Sequence, residues 1–191
     1  MPARSSARLD PRQPLVLDVR ELGRRPGSMR RVHTEVPAPA DLGVEMSAVP
    51  PGSPLRLDLR LESVVEGVLA SGTVVAQVSG ECARCLTPVT GEVTAEVQEL
   101  FAYPQSATEE TTDEDEVSHL VGDLLDLEPV VRDAVVLALP LAPLCREDCP
   151  GLCPDCGVAL DDLPAGHTHE APIDPRWAAL AERSGNTDSQ E

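Results

Sequence analysis

The sequence predicts an α+β protein, an antiparallel sheet packed by one main helix with a small C-terminal zinc-ribbon-like appendage, and three observations carry that prediction. Over residues 55–62 and again over 89–101 apolar residues alternate with polar ones, the period of strands that lay one face on a core. From Leu127 to Ala138 the spacing changes to threes and fours, the period of a helix face. Four of the six cysteines then fall between Cys145 and Cys156, a density that points to ligand chemistry rather than to core packing.

Taken in order, residues 1–13 are rich in Arg, Pro and Ser and read as a flexible basic arm. Residues 14–144 read as the α+β core domain, which opens with Leu15, Leu17 and Val19 as a first strand. Residues 23–54 contain Pro26, Pro37, Pro39, Pro50, Pro51 and Pro54, which permits only short strand pieces inside a long connection. Leu55, Leu57, Leu59 and Leu61 alternate with Arg56, Asp58, Arg60 and Glu62, a half-buried strand. Residues 67–80 are rich in Val and form the next strand, with a bulge expected at Gly72. Val89, Val93, Ala95, Val97 and Phe101 make a third, so Cys82 and Cys85 sit at the tip of a hairpin.

Residues 104–116 are acidic, with almost nothing apolar, and read as a solvated loop. The helix face consists of Leu127, Val130, Val131, Ala134, Val135 and Ala138; Asp126 is placed to cap it, Pro129 fits its first turn, and Pro140 ends it. Pro140 to Leu144 should be extended and deliver the chain to the cysteine-rich segment. Residues 145–183 read as a metal-binding appendage that ends in a short helix carrying Trp177 and Leu180, capped by Asp174 and Pro175; residues 184–191 read as a disordered tail.

Composition limits what such a fold can do. Phe101, Tyr103 and Trp177 are the only aromatic residues apart from histidine, too few for a platform that stacks unpaired bases. The net charge is −18, yet residues 1–31 carry eight arginines against three acids, a balance of +5. That split predicts a basic arm able to touch phosphate and an acidic body suited to a basic protein partner. Leu15-Val16-Leu17 is too short for the apolar core of an export signal, and the apolar stretch from Ala134 to Leu144 is broken by Pro140 and Pro143. The expectation is a cytoplasmic protein with no membrane partner, and in a reducing compartment closely spaced cysteines favour metal over disulfides.

Cys82-Ala83-Arg84-Cys85 and Cys153-Pro154-Asp155-Cys156 are Cys-x-x-Cys pairs, and Cys145 and Cys149 form a Cys-x-x-x-Cys pair. In such a turn two thiolates converge while the backbone passes beneath an ion, and Gly157 accepts a positive φ after the second pair. His167 and His169, two apart, can point the same way in an extended segment. The preferred arrangement is two tetrahedral zinc sites: Cys82, Cys85, Cys145 and Cys149 in one, Cys153, Cys156, His167 and His169 in the other. The rival is a single site of Cys145, Cys149, Cys153 and Cys156. A redox reading needs a low-pKa thiolate at a helix N-terminus, and neither Cys-x-x-Cys visibly begins a long helix. No phosphate loop, nucleophile triad or pair of catalytic carboxylates stands out, so no catalytic residue is assigned and no small-molecule substrate is expected.

The segments Gly80-Glu81-Cys82-Ala83-Arg84-Cys85-Leu86, Arg132-Asp133-Ala134-Val135-Val136-Leu137-Ala138-Leu139-Pro140 and Cys149-Pro150-Gly151-Leu152-Cys153-Pro154-Asp155-Cys156-Gly157, followed by Ile173-Asp174-Pro175-Arg176, resemble in this order the YceD family of large ribosomal RNA subunit accumulation proteins. Leu22-Gly23-Arg24-Arg25-Pro26-Gly27-Ser28-Met29-Arg30 looks like its actinobacterial branch, and the likeness runs from residue 14 to 183. The resemblance implies a non-catalytic factor in ribosome biogenesis that supports the accumulation or processing of large-subunit ribosomal RNA. Many relatives have Cys-x-Cys where this chain has His167-Thr168-His169, a replacement that keeps ligand chemistry. The implied partner is ribosomal RNA or a pre-ribosomal particle; the charge split adds the expectation that Arg24, Arg25, Arg30 and Arg31 contact its phosphates while the acidic body holds a basic ribosomal protein or RNA-processing enzyme. Two alternatives are a zinc-dependent protein adaptor without RNA contact and a Cys-x-x-Cys thiol oxidoreductase.

Overall fold

The computed structural model describes residues 9–104, 106, 117–169 and 176. Most of the acidic loop, the segment around Trp177 and Leu180, the tail and residues 1–8 of the arm lie outside the described residues. The chain divides into two compact units, Met1–Cys149 and Pro150–Glu191. Among the described residues no helix is long and apolar enough to cross a membrane.

The first unit contains strands β1 (Val16–Asp18), β2 (Met29–Pro37), β3 (Ser47–Ala48), β4 (Pro54–Ser63), β5 (Gly67–Glu81), β6 (Pro88–Ala102), β7 (Ser118–His119) and β8 (Leu124–Asp126), followed by helix α1 (Glu128–Ala138). The main sheet runs β2-β4-β5-β6-β7, antiparallel except for the short parallel β6–β7 pair, with β3 added on β5. The period-two reading therefore describes the sheet, and one helix covers part of one face. On that face Leu55, Leu57, Leu59 and Leu61 are buried together with Val68, Val74, Ala95, Val97 and Phe101. Each fully buried leucine contributes about 1.5–3 kcal/mol relative to exposure, so this column dominates the stability of β4. Leu127, Val131 and Val135 of the helical segment join the same core, while Leu137 on the far side is 86% exposed.

Three expectations need correction. Residues 23–54 do not hold only short strand pieces: β2 is nine residues long and pairs with β4 from Met29↔Glu62 to Pro37↔Pro54. Its prolines do not interrupt it, because Pro26 lies outside the strand and Pro37 ends it on the sheet edge, where a missing N–H is tolerated. Gly72 makes no bulge, since pairing with β4 and β6 passes through it without a slip, as Leu59↔Gly72 and Gly72↔Val97. It is glycine for another reason: φ is +151° and an added Cβ would lie 2.1 Å from the Asp58 carbonyl oxygen. Asp126, finally, is not the helix cap. It pairs with Val16 as the last residue of β8, Leu127 takes the cap position, and the Asp126 carboxylate accepts the Glu128 N–H at 2.9 Å from one residue further out.

Candidate metal centres

Strand pairing decides where the first two cysteines lie. The β5–β6 ladder closes at Glu81↔Pro88, leaving Cys82–Thr87 as the tip. There the Cys82 N–H donates to the Thr87 carbonyl at 2.8 Å and the Leu86 N–H donates back to the Cys82 carbonyl at 2.9 Å. This folds Cys82 and Cys85 onto the same side of the turn.

The other pair arrives from the end of α1. The buried Ser47 hydroxyl donates to the Pro140 carbonyl at 2.8 Å, and the Ala83 N–H donates to the Pro143 carbonyl at 2.8 Å. The Arg84 guanidinium then donates to the carbonyls of Cys149 at 2.9 Å and Glu147 at 3.3 Å. Sequence reasoning missed Ser47 and Arg84, and no periodic signal marks either of them. Only the folded path of residues 140–149 gives them carbonyls to bond.

The four sulfurs lie within 4.8 Å of one another. Cys82 Sγ is 3.8 Å from Cys149 Sγ, and Cys85 Sγ is 3.6 Å from Cys145 Sγ. A disulfide needs about 2.0 Å, whereas ligands about 2.3 Å from a tetrahedral ion are separated by roughly 3.8 Å. The spacing is that of ligands. Cys82 and Cys149 are buried, Cys85 is half-buried and Cys145 exposed, and none of the six cysteines is joined in a disulfide.

The meeting of the two segments, with the turn itself, lowers thiol pKa values. Cys82 falls from 9.0 to about 6, chiefly because the Cys145 backbone N–H points at its sulfur, with burial opposing and the Cys85 and Arg84 N–H groups assisting. Cys85 is lowered by the Thr87 hydroxyl, 3.0 Å away, and by the Thr87 backbone N–H. Both shifts favour the thiolate, the form that binds a metal.

The second unit repeats the turn. The Cys153 N–H donates to the Val158 carbonyl and the Gly157 N–H to the Cys153 carbonyl, each at 2.8 Å, and Leu152 bridges Ala159. Cys153 is buried, and its pKa is lowered by the backbone N–H groups of Cys156 and Asp155. After Gly166 the chain returns so that His167 Nε2 lies 3.7 Å from Cys156 Sγ and 2.7 Å from His169 Nε2. Cys153, Cys156, His167 and His169 thus present four ligand atoms within 4.8 Å of one another. The imidazole pair is at hydrogen-bond distance, so an ion between them needs a small separation of the two rings.

The structure therefore gathers the eight residues as two sets of four, and Cys145 and Cys149 lie with the hairpin tip. It does not place the four arginines on one surface. Arg24 lies over the Tyr103 ring at 4.9 Å from its centroid, Arg25 is exposed, and Arg30 reaches Glu21 at 3.8 Å. Arg30 and Arg31 are neighbours in β2 and so face opposite sides of the sheet.

Fold and site together define a class: a small α+β protein with two Cys/His clusters able to hold metal ions. More particularly, this chain belongs to the YceD family, since the family model described as Large ribosomal RNA subunit accumulation protein YceD matches residues 70–182. That span contains all eight cluster residues. The chain is 57% identical over 172 residues to Uncharacterized protein Rv2926c of Mycobacterium tuberculosis, which covers 90% of this chain and 82% of that one. Uncharacterized protein ML1660 of Mycobacterium leprae is 50% identical over 169 residues, covering 88% and 77% respectively. No solved structure matches the chain.

Proposed function

We propose that this chain is a zinc-stabilised, non-catalytic, cytoplasmic factor that supports large-subunit ribosomal RNA accumulation by binding ribosomal RNA or a pre-ribosomal particle. The ribosomal role rests on the family description. The zinc scaffold rests on one observation: four thiol sulfurs from residues 82–85 and 145–149 converge within 4.8 Å. Thiolate and imidazole donors in fours suit a closed tetrahedral zinc site, and such a site supplies folding energy rather than chemistry. An ion held by Cys82, Cys85, Cys145 and Cys149 would pin the exit of α1 to the hairpin tip; one held by Cys153, Cys156, His167 and His169 would close the smaller unit on itself.

On this reading Arg24, Arg25, Arg30 and Arg31 meet phosphate, and the acidic remainder holds a basic ribosomal protein or processing enzyme. Replacing the four arginines should weaken RNA association and flatten its salt dependence; unchanged binding and slope would remove these arginines from the contact. A protein adaptor without RNA contact is the second reading, favoured by the carboxylate beside Arg30 and the ring beneath Arg24. Ultraviolet crosslinking in growing cells, with RNA and protein both identified after affinity purification, separates the two. Thiol oxidoreductase chemistry is disfavoured, since Cys82 and Cys153 sit in hydrogen-bonded turns rather than at a helix N-terminus.

A further inference from the structure

Strand β2 is the open edge of the main sheet, and among the described residues the backbone of Met29–Pro37 hydrogen-bonds only toward β4. In an antiparallel pair every second residue turns its N–H and C=O away from the partner, so this nine-residue edge offers a row of donors and acceptors. Its outer face is charged, as protected edges commonly are, but two of those charges lack a partner among the described residues.

That face carries Arg31, His33 and Glu35, which stand opposite Arg60, Asp58 and Arg56 of β4. His33 is answered within the chain: its Nδ1 is 3.1 Å from the Asp58 carboxylate. The other two are not. Arg31 faces a like charge, Arg60, whose guanidinium is bonded to Glu62. Glu35 faces Arg56, whose guanidinium is engaged by Glu92 at 2.6 Å. Arg31 and Glu35 therefore have no ion-pair partner among the described residues, and like charges directly opposite one another destabilise a sheet.

We propose that β2 pairs antiparallel with β2 of a second copy about a twofold axis at His33, making one continuous sheet. This register sets Arg31 of each copy opposite Glu35 of the other, Val32 opposite Thr34, and Arg30 opposite Val36. Both unanswered charges gain partners at once, and the twofold makes the contact isologous. The register is selective. Moving the axis to Val32 or Thr34 sets Arg31 or Glu35 against His33 and leaves Arg31 and Glu35 unmatched. The net charge of −18 opposes association at long range, but at physiological salt only charges within about 8 Å act strongly. The strand itself carries two arginines against one glutamate.

The inference does not rest on the ribosomal reading, and its test contains no RNA. Sedimentation velocity of the full, zinc-loaded chain over a concentration series should show a monomer–dimer equilibrium. Arg31→Glu and Glu35→Arg should each raise the dimer dissociation constant about tenfold, through two like-charge contacts at the seam. The double exchange Arg31→Glu/Glu35→Arg should restore dimerisation. Misfolding does not confuse the first variant, because its new carboxylate faces Arg60, and its urea midpoint should hold or rise. A chain that stays monomeric, a dimer indifferent to Arg31→Glu, or a double exchange that fails to restore it would each overturn the proposal.

Discussion

Leu86 and Gly157 occupy the same position in two turns of one design, the residue after a Cys-x-x-Cys whose N–H closes back on the first cysteine carbonyl, with φ of +60° and +71°. An L side chain at such a φ costs roughly 1–2 kcal/mol, which glycine avoids while giving back part in chain entropy. Leu86 is 53% exposed, so little burial is lost on removing it. Leu86→Gly should therefore stabilise the zinc-loaded chain by about 0.5–1 kcal/mol in urea unfolding, whereas Gly157→Leu should weaken zinc retention by the second cluster.

Two clusters of four ligands predict two independent ions. Elemental analysis of the purified chain should find about two zinc atoms per molecule. Cys82→Ser and Cys153→Ser should each leave about one, and a chelator should remove both while lowering the unfolding midpoint. A ratio that stays near one in the unsubstituted chain would leave one of the two clusters without an ion.

The Cys82 thiol has a pKa of about 6 in the folded chain against an ordinary 9.0. Between those values the folded state holds a thiolate where the unfolded state holds a thiol, so folding releases a proton. The stability this contributes is complete above about pH 9, shrinks as pH falls, and is gone once pH passes below about 6. Cys85 and Cys153 shift in the same direction. The urea midpoint of the reduced, metal-free chain should fall as pH is lowered through that window. Zinc affinity should fall with it, because protons compete for the sulfurs.

Gly72→Ala puts a methyl group 2.1 Å from the backbone oxygen of Asp58, and φ there is +151°. Neither the central strand β5 nor its neighbour β4 can yield without breaking the ladder on which Leu57, Leu59 and Leu61 are buried. The expected loss is about 3 kcal/mol or more. An unfolding midpoint unchanged by this substitution would contradict the close approach.

Arg84 holds the carbonyls of Glu147 and Cys149 against the hairpin tip. Arg84→Ala should leave the four sulfurs in place but less firmly oriented, lowering zinc affinity at the first cluster by about 10–100-fold. The second cluster should be untouched. Competition with a chromophoric chelator, read against Cys153→Ser as background, isolates the first cluster.

Much of this molecule was legible before it was folded. Alternation in Leu55–Leu61 and Val89–Phe101 dictates strands, because a period of two puts all the apolar mass on one side. The spacing from Leu127 to Ala138 dictates a helix for the matching reason. Cysteine pairs announce ligand turns locally, since both sulfurs belong to one short loop. Strand β2 was obscured by its composition: its core-facing positions are Arg30, Val32, Thr34 and Val36, only the last of them buried, with prolines close by. An edge strand buries too little to write a strong pattern.

Sequence alone determined the strands over Leu55–Leu61 and Val89–Phe101, the helix after Leu127 and the cysteine and histidine residues suited to hold a metal, because those depend on side-chain chemistry and short-range period. Only the tertiary structure decided that Asp126 belongs to a strand, that Gly72 marks backbone crowding, that Arg84 clasps residues 147–149, and which four sulfurs meet. Each depends on residues far apart in the chain being brought together by burial of the common core, and no local spacing encodes that distance.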